Sequence, residues 1–192
     1  PIIHEIVDRL HMHNLEDIFI SIHYKGKIIK NYFDHNLDKS TNIKFLEENE
    51  PLGTAGSLSL LQSNNITSPV VVINGDVLTD INYSELINYH NNSNLDITVC
   101  ASFYDIQIPF GTIEIENDRL VNIIEKTLKK YLINAGIYVV NPIIINNLQY
   151  NKKIDMTDII SDAINQNNVG IFPMHEQWID IGSHESYEKA KK

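Results

Sequence analysis

The chain has 192 residues, 15 basic and 25 acidic side chains and a net charge of −10, which excludes the clustered basic surface that displaces counterions from nucleic acid. Hydrophobic residues at 43% and charged residues at 21% exclude a disordered chain and suit one domain over residues 1–192. A lone cysteine, Cys100, excludes an internal disulfide or a cysteine-cluster metal site, and no apolar run approaches the roughly 18 residues of a membrane span. The start, Pro1-Ile2-Ile3-His4-Glu5, lacks the basic head and long apolar block of a signal peptide, so a soluble cytoplasmic protein is expected.

Ile2, Ile3, Ile6, Val7 and Leu10 recur at helical spacing and predict a first helix. Residues 17–23 predict a strand, Ile28, Ile29, Tyr32 and Phe33 a second helix, and residues 43–46 another strand. Residues 54–61 read as a helix, with Leu58 and Leu61 one turn apart. Residues 69–73, apolar on both faces, predict a buried parallel strand that ends at Asn74-Gly75-Asp76. Ser84 is expected to cap a helix running to about residue 90. Four strands follow, at 95–104, 111–116, 120–125 and 132–140, joined by polar turns such as Asn117-Asp118. A helix at 156–165, a strand at 169–173 and a final helix from about residue 183 close the chain. This alternation predicts an α/β fold, mostly parallel at first, with a mixed or antiparallel second half and helices on both faces.

Several stretches carry residue types suited to chemistry. Residues 47–56, E-E-N-E-P-L-G-T-A-G, follow a strand and open a helix. Glycines there permit close backbone approach, and free amides at a helix start favour a polar or anionic ligand; a tight strand-to-helix turn explains the same residues equally well. Asp76 sits just beyond the carboxyl end of the Val-rich strand, where open α/β sheets bind ligands and where a carboxylate can hold a divalent metal. Asp180, between Ile179 and Ile181 on the run with the only tryptophan, needs a partner or a metal if buried, or else caps the last helix. Asp76 and Asp180 together would form a two-carboxylate magnesium site if the fold brings them together. Glu125 can accept from hydroxyls, Lys126 offers a point charge to phosphate and Asn134 both donates and accepts, although each also suits a turn or a sheet position. His11 and His13 end the first helix, and no Ser/His/Asp arrangement is evident.

Read in order, E-P-L-G-T-A-G at 50–56, N-G-D at 74–76, Phe110-Gly111, Glu125-Lys126, N-A-G-I-Y at 134–138 and W-I-D-I-G at 178–182 resemble the sugar-phosphate nucleotidyltransferases, above all the mannose-1-phosphate guanylyltransferase-like proteins. The likeness spans essentially the whole chain. It implies a Rossmann-like nucleotidyltransferase sheet and a reaction in which a sugar 1-phosphate and a nucleoside triphosphate, GTP favoured, give a nucleotide sugar and pyrophosphate. It further implies that Asp76 and Asp180 hold Mg2+ and that Lys126 holds the sugar phosphate. Gly111, Glu125 and Asn134 would contact the sugar, and Leu52, Gly53, Thr54, Ala55 and Gly56 would meet base and ribose. Asn74 and Gly75 count among the substrate-binding positions.

The same resemblance sets out two departures. The family's G-G-x-G-T-R-L loop and Pro-Lys pair, which serve the triphosphate, have no counterpart in these residues. The expectation is therefore a chain truncated before Pro1, lacking a central first strand, weak or inactive as it stands, with open strand edges that favour a homo-oligomer. Thr127 stands where the family usually has proline, which loosens the Glu125 and Lys126 assignments. Two other readings compete: a non-catalytic nucleotide-sugar-binding regulatory module, and a glycosyltransferase. The second is disfavoured because the residues at 74–76 hold one aspartate rather than an Asp-x-Asp pair.

Overall fold

The structure, a computed structural model, describes residues 1–36 and 42–182. Helix α1 (Ile2–Met12) leads to β1 (Asp17–Ile22), and α2 (Gly26–Asn36) to β2 (Asn42–Glu47). A 3-10 helix (Gly56–Asn64) precedes β3 (Val70–Ile73), β4 (Val77–Thr79) and α3 (Tyr83–Ser93). Then come β5 (Ile97–Gln107), β6 (Thr112–Glu116), β7 (Arg119–Ile124) and β8 (Leu128–Val140). The described part closes with α4 (Pro142–Asn147), α5 (Met156–Ile164), β9 (Val169–Met174) and β10 (Trp178–Asp180).

The central sheet has the order β3-β8-β5-β9. Strand β8 is antiparallel to both β3 and β5, while β9 joins β5 in parallel. Because successive side chains point to opposite faces, β8 serves two cores. Ile137 and Val139 pack with Ile6, Val7 and Leu10 of α1 and Leu86 of α3. Tyr138 and Val140 pack with Leu58 and Leu61 of the 3-10 helix, Ile145 of α4 and Met156 and Ile159 of α5. Each such aliphatic side chain contributes about 1.5–3 kcal/mol by leaving water. Helices thus cover both faces. No helix among the described residues is long and apolar enough to cross a membrane.

The α/β class with a mixed sheet is as expected, but the balance of strand directions differs. Among the described residues only β1–β2 and β5–β9 are parallel; β3–β8, β5–β8, β4–β10 and β6–β7 are antiparallel. Strand β3 was the expected buried parallel strand, yet its pairing among the described residues is antiparallel, to β8 alone, and all four of its residues are half-buried. Apolar character on both faces reports what flanks a strand, not its direction.

Residues 54–61 do not form the expected α-helix. The Ser59 and Ser63 hydroxyls donate to the carbonyls of Gly56 and Leu60, three residues back, and the segment winds as a 3-10 helix. Helix α3 is capped by Asn82 rather than Ser84: Asn82 Oδ1 accepts from the Ser84 and Glu85 amides at 3.1 and 3.2 Å. The final helix expected from residue 183 lies outside the described residues. Left-handed backbone recurs at asparagines in the connections, at Asn14, Asn65, Asn94, Asn117, Asn151 and Asn167.

Candidate active site

Three of the sequence motifs meet at one end of the central sheet, around Gly136. Asn74 follows β3 and its amide donates to Gly136 O at 2.9 Å. Gly136 has φ +70°, and a Cβ there would lie 2.6 Å from Asn74 Nδ2. Only glycine gives both the left-handed backbone and the close approach. The Gly136 amide donates to Asn134 Oδ1 at 3.0 Å, and Asn134 Nδ2 donates to the Tyr138 hydroxyl at 2.8 Å. Burial pushes the Tyr138 hydroxyl's pKa up, and the bond from Asn134 partly opposes this. Trp178 Nε1 donates to Ala135 O at 2.8 Å, tying β10 to the same turn. N-G-D, N-A-G-I-Y and W-I-D-I-G therefore constrain one another.

This arrangement sets two carboxylates side by side. Strands β4 and β10 pair antiparallel with Asp180 opposite Val77, and the Ile181 amide donates to Asp76 O at 2.8 Å. Gly182 donates its amide to Asp180 Oδ1 at 2.8 Å. A Cβ on Gly182 would lie 3.0 Å from Asp180 Oδ1 and 3.2 Å from Asp76 Oδ2, so both carboxylates face one point. Both aspartates are exposed, and neither forms an ion pair among the described residues. Paired, exposed carboxylate oxygens with no cationic partner are hard donors that fit Mg2+, which keeps its remaining positions for water and phosphate. A Cβ on Gly75 would meet nothing within 4 Å, so the backbone beside Asp76 is open to a ligand. No cluster of three or more metal-ligating side chains occurs among the described residues.

The segment at 52–56 is built differently from the expectation of free amides. Leu52 N donates to Glu48 Oε2 at 2.8 Å, Thr54 N to Asp155 Oδ1 at 2.9 Å, and Ala55 N and Gly56 N to Ile154 O at 3.1 Å. Leu52, Ala55 and Gly56 are buried; Thr54 is exposed and Gly53 half-buried. The backbone donors thus close the loop on itself and on residues 154–155, leaving Gly53 and Thr54 as its accessible surface. Beside it opens a cleft of about 550 Å3 between residues 49–52 and 151–153, with Glu50 on one wall and Lys152 and Lys153 on the other.

Gly111, Glu125 and Lys126 lie on an arm formed by the outer parts of β5 and β8 and the β6–β7 hairpin. A Cβ on Gly111 would touch Glu125 Oε1 at 2.9 Å, so the Glu125 carboxylate sits over Gly111. Lys126 turns the chain at φ +52°. Thr127 knits the hairpin's base: its hydroxyl bonds Thr112 Oγ1 at 2.5 Å and donates to Ile124 O at 3.2 Å. No hydrogen bond or ion pair among the described residues links these arm residues to Asp76 or Asp180. His90 is buried between Thr98 Oγ1 at 2.8 Å and Asn141 Oδ1 at 3.1 Å, a satisfied structural position. Asp155 was missed in the sequence, although Asp155 with Asp158 three residues on, before an apolar run, is a capping-box pattern.

The sequence profile of the Nucleotidyl transferase family matches residues 1–192. The chain is 31% identical over 194 residues to the bifunctional protein GlmU of Methanococcus aeolicus, covering 95% of this chain and 44% of that protein. It is 25% identical over 195 residues to mannose-1-phosphate guanyltransferase 2 of Candida glabrata, covering 97% and 54%. The chain spans about half the length of the curated relatives it matches. Among solved structures, HddC from Yersinia pseudotuberculosis is similar with a TM-score of 0.74 at 25% identity, over 99% of this chain and 84% of HddC. A second structure of HddC, complexed with GMP-PN, shares the fold with a TM-score of 0.76 at 24% identity.

Proposed function

The chain belongs to the nucleotidyl transferase family, and from that premise we propose that it forms a nucleotide sugar from a nucleoside triphosphate and a sugar 1-phosphate, releasing pyrophosphate. The observation that carries this reading is the convergence of Asp76 and Asp180 at Gly182. GTP and mannose 1-phosphate are the favoured substrates, supported by the guanyltransferases among the relatives. A cytoplasmic setting is part of the proposal, in keeping with the acidic chain and its single buried thiol.

Proteins of this family generally use a divalent metal, and Asp76 and Asp180 are the residues proposed to hold Mg2+. When bound, Mg2+ would neutralise phosphate charge and polarise the α-phosphoryl group. The chain's own residues supply position. Gly75 leaves room beside Asp76 for the phosphates. Gly53 and Thr54 face the base and ribose. Lys126 holds the sugar phosphate, and Gly111, Glu125 and Asn134 meet the sugar hydroxyls. A sugar-phosphate oxygen attacks the α-phosphorus in line, a new P–O bond forms, the α–β bridge breaks and pyrophosphate leaves. No covalent enzyme intermediate is required; alignment and charge stabilisation do the catalysis.

The 192 residues contain no G-G-x-G-T-R-L loop, so turnover by this chain is proposed to be weak, and binding is the primary readout. Calorimetry with GTP is expected to show binding that depends on Mg2+ and is lost in Asp76→Asn and Asp180→Asn. Equal binding with and without the metal would refute the catalytic reading and point to a binding module. A pyrophosphate-release assay with GTP and mannose 1-phosphate completes the test.

A further inference from the structure

The loop at 52–56 is held from a distant part of the chain. Asp155, half-buried at the start of α5, accepts from Thr54 N at 2.9 Å and lies 3.4 Å from Thr54 Oγ1. Thr54 Oγ1 in turn accepts from Met156 N at 2.8 Å. Backbone rungs extend the seam: Ile154 N donates to Leu52 O at 3.0 Å, and Ile154 O receives Ala55 N and Gly56 N. The two glycines are shaped to this seam. A Cβ on Gly53 would lie 2.5 Å from Asp155 Oδ1, and one on Gly56 would lie 2.4 Å from Lys152 O. The cleft beside the loop has one wall on each side of this seam.

A helix cap alone does not account for Asp155. It closes a capping box with Asp158 on α5, and serine would serve that purpose as well. Serine is too short to reach across to Thr54, whereas the carboxylate makes a charge-assisted bond to the Thr54 amide. We infer that Asp155 is a positioning residue for nucleotide binding: through Thr54 it locks the loop at 52–56 against residues 152–156 and sets the width of the cleft. The inference rests on the reading that this loop meets base and ribose.

The test uses the full 192-residue chain and three substitutions. Asp155→Ser keeps a cap and loses the bridge, Thr54→Val removes the hydroxyl relay while keeping the Thr54 amide bond and the cap, and Asp155→Asn keeps one side-chain oxygen to accept from the Thr54 amide. Calorimetry measures GTP with Mg2+ and, as control, mannose 1-phosphate, while hydrogen exchange follows the amides of residues 54–56. Asp155→Ser and Thr54→Val are each expected to weaken GTP binding about tenfold. Mannose 1-phosphate should change less than about twofold, and Asp155→Asn should restore most of the GTP affinity. Asp155→Ser and Thr54→Val both binding GTP like the unsubstituted chain would overturn the inference; if Asp155→Ser fails to fold, hydrogen exchange at 54–56 in Thr54→Val decides. If the unsubstituted chain binds no GTP, the nucleotide reading fails on its own and exchange decides the locking. Faster exchange at 54–56 in Thr54→Val sustains Asp155 and Thr54 as the loop's lock, and unchanged exchange overturns it.

Discussion

Strands β5 and β8 each run through two different environments. Their inner halves are core: Ile97, Cys100, Ile137 and Val139 are fully buried. Their outer halves, with the β6–β7 hairpin, form an arm on which Phe103 is 48% and Leu132 54% exposed. Both halves carry motif glycines, but those glycines answer different demands. Gly136 sits at φ +70° against Asn74, where a side chain has nowhere to go, whereas Gly111 faces only the end of the flexible Glu125 side chain. In the inner half, motif residues are fixed by one another. On the arm, they are fixed by the hairpin's own turns and are available to a ligand.

The sharpest way to break this contrast is the same substitution in both places. Gly136→Ala combines a strained left-handed backbone with a clash at Asn74, and should cost about 3 kcal/mol or more in chemical denaturation. A smaller effect should come from alkali. Burial, with Glu176 adding to it, pushes the Cys100 thiol up to about 12 from its ordinary 9.0, and burial pushes Tyr83 up to about 12 from 10.0 against the opposing pull of Arg9. The unfolded chain therefore releases these protons first and binds fewer of them above pH 9. Stability is full below that point and should fall as pH rises towards 12, by on the order of 2 kcal/mol at pH 10. Denaturation midpoints across pH would check it, and Cys100 should resist thiol reagents until the chain unfolds. Trp178→Phe leaves Ala135 O without its indole donor and should cost about 1–2 kcal/mol. Last, Gly111→Ala should leave stability within about 0.5 kcal/mol while displacing Glu125 and weakening mannose 1-phosphate binding. Equal losses of stability for the two alanines would erase the distinction between core and arm.

The inner region was the more legible in sequence. The spacing of Ile6, Val7 and Leu10 identified α1, and the order of N-G-D, N-A-G-I-Y and W-I-D-I-G marked residues that the fold brings together. What sequence reasoning could not supply was who uses each donor. The amides of Thr54, Ala55 and Gly56 looked free because Ile154 and Asp155, their acceptors, lie about a hundred residues away. Leu58 and Leu61, three residues apart, fit a 3-10 turn as well as an α turn, so the apolar spacing alone could not tell the two apart. Strand β3 was misjudged for a similar reason, since pairing direction is a property of the partner. The arm's exposed aliphatics, such as Ile113 and Ile115, alternate with acids and signal a strand, but nothing in that pattern distinguishes a core strand from a projecting one.

The asparagines at left-handed turns have a consequence for folding. Glycine would adopt φ > 0 more easily, but it also gives a denatured chain more backbone conformers to surrender, a handicap of roughly 0.5–1 kcal/mol per site. Asparagine at six such pivots among the described residues, in a chain with only eight glycines, trades a little local strain for a narrower starting ensemble. The connections are thereby stiffened before the elements they join have met.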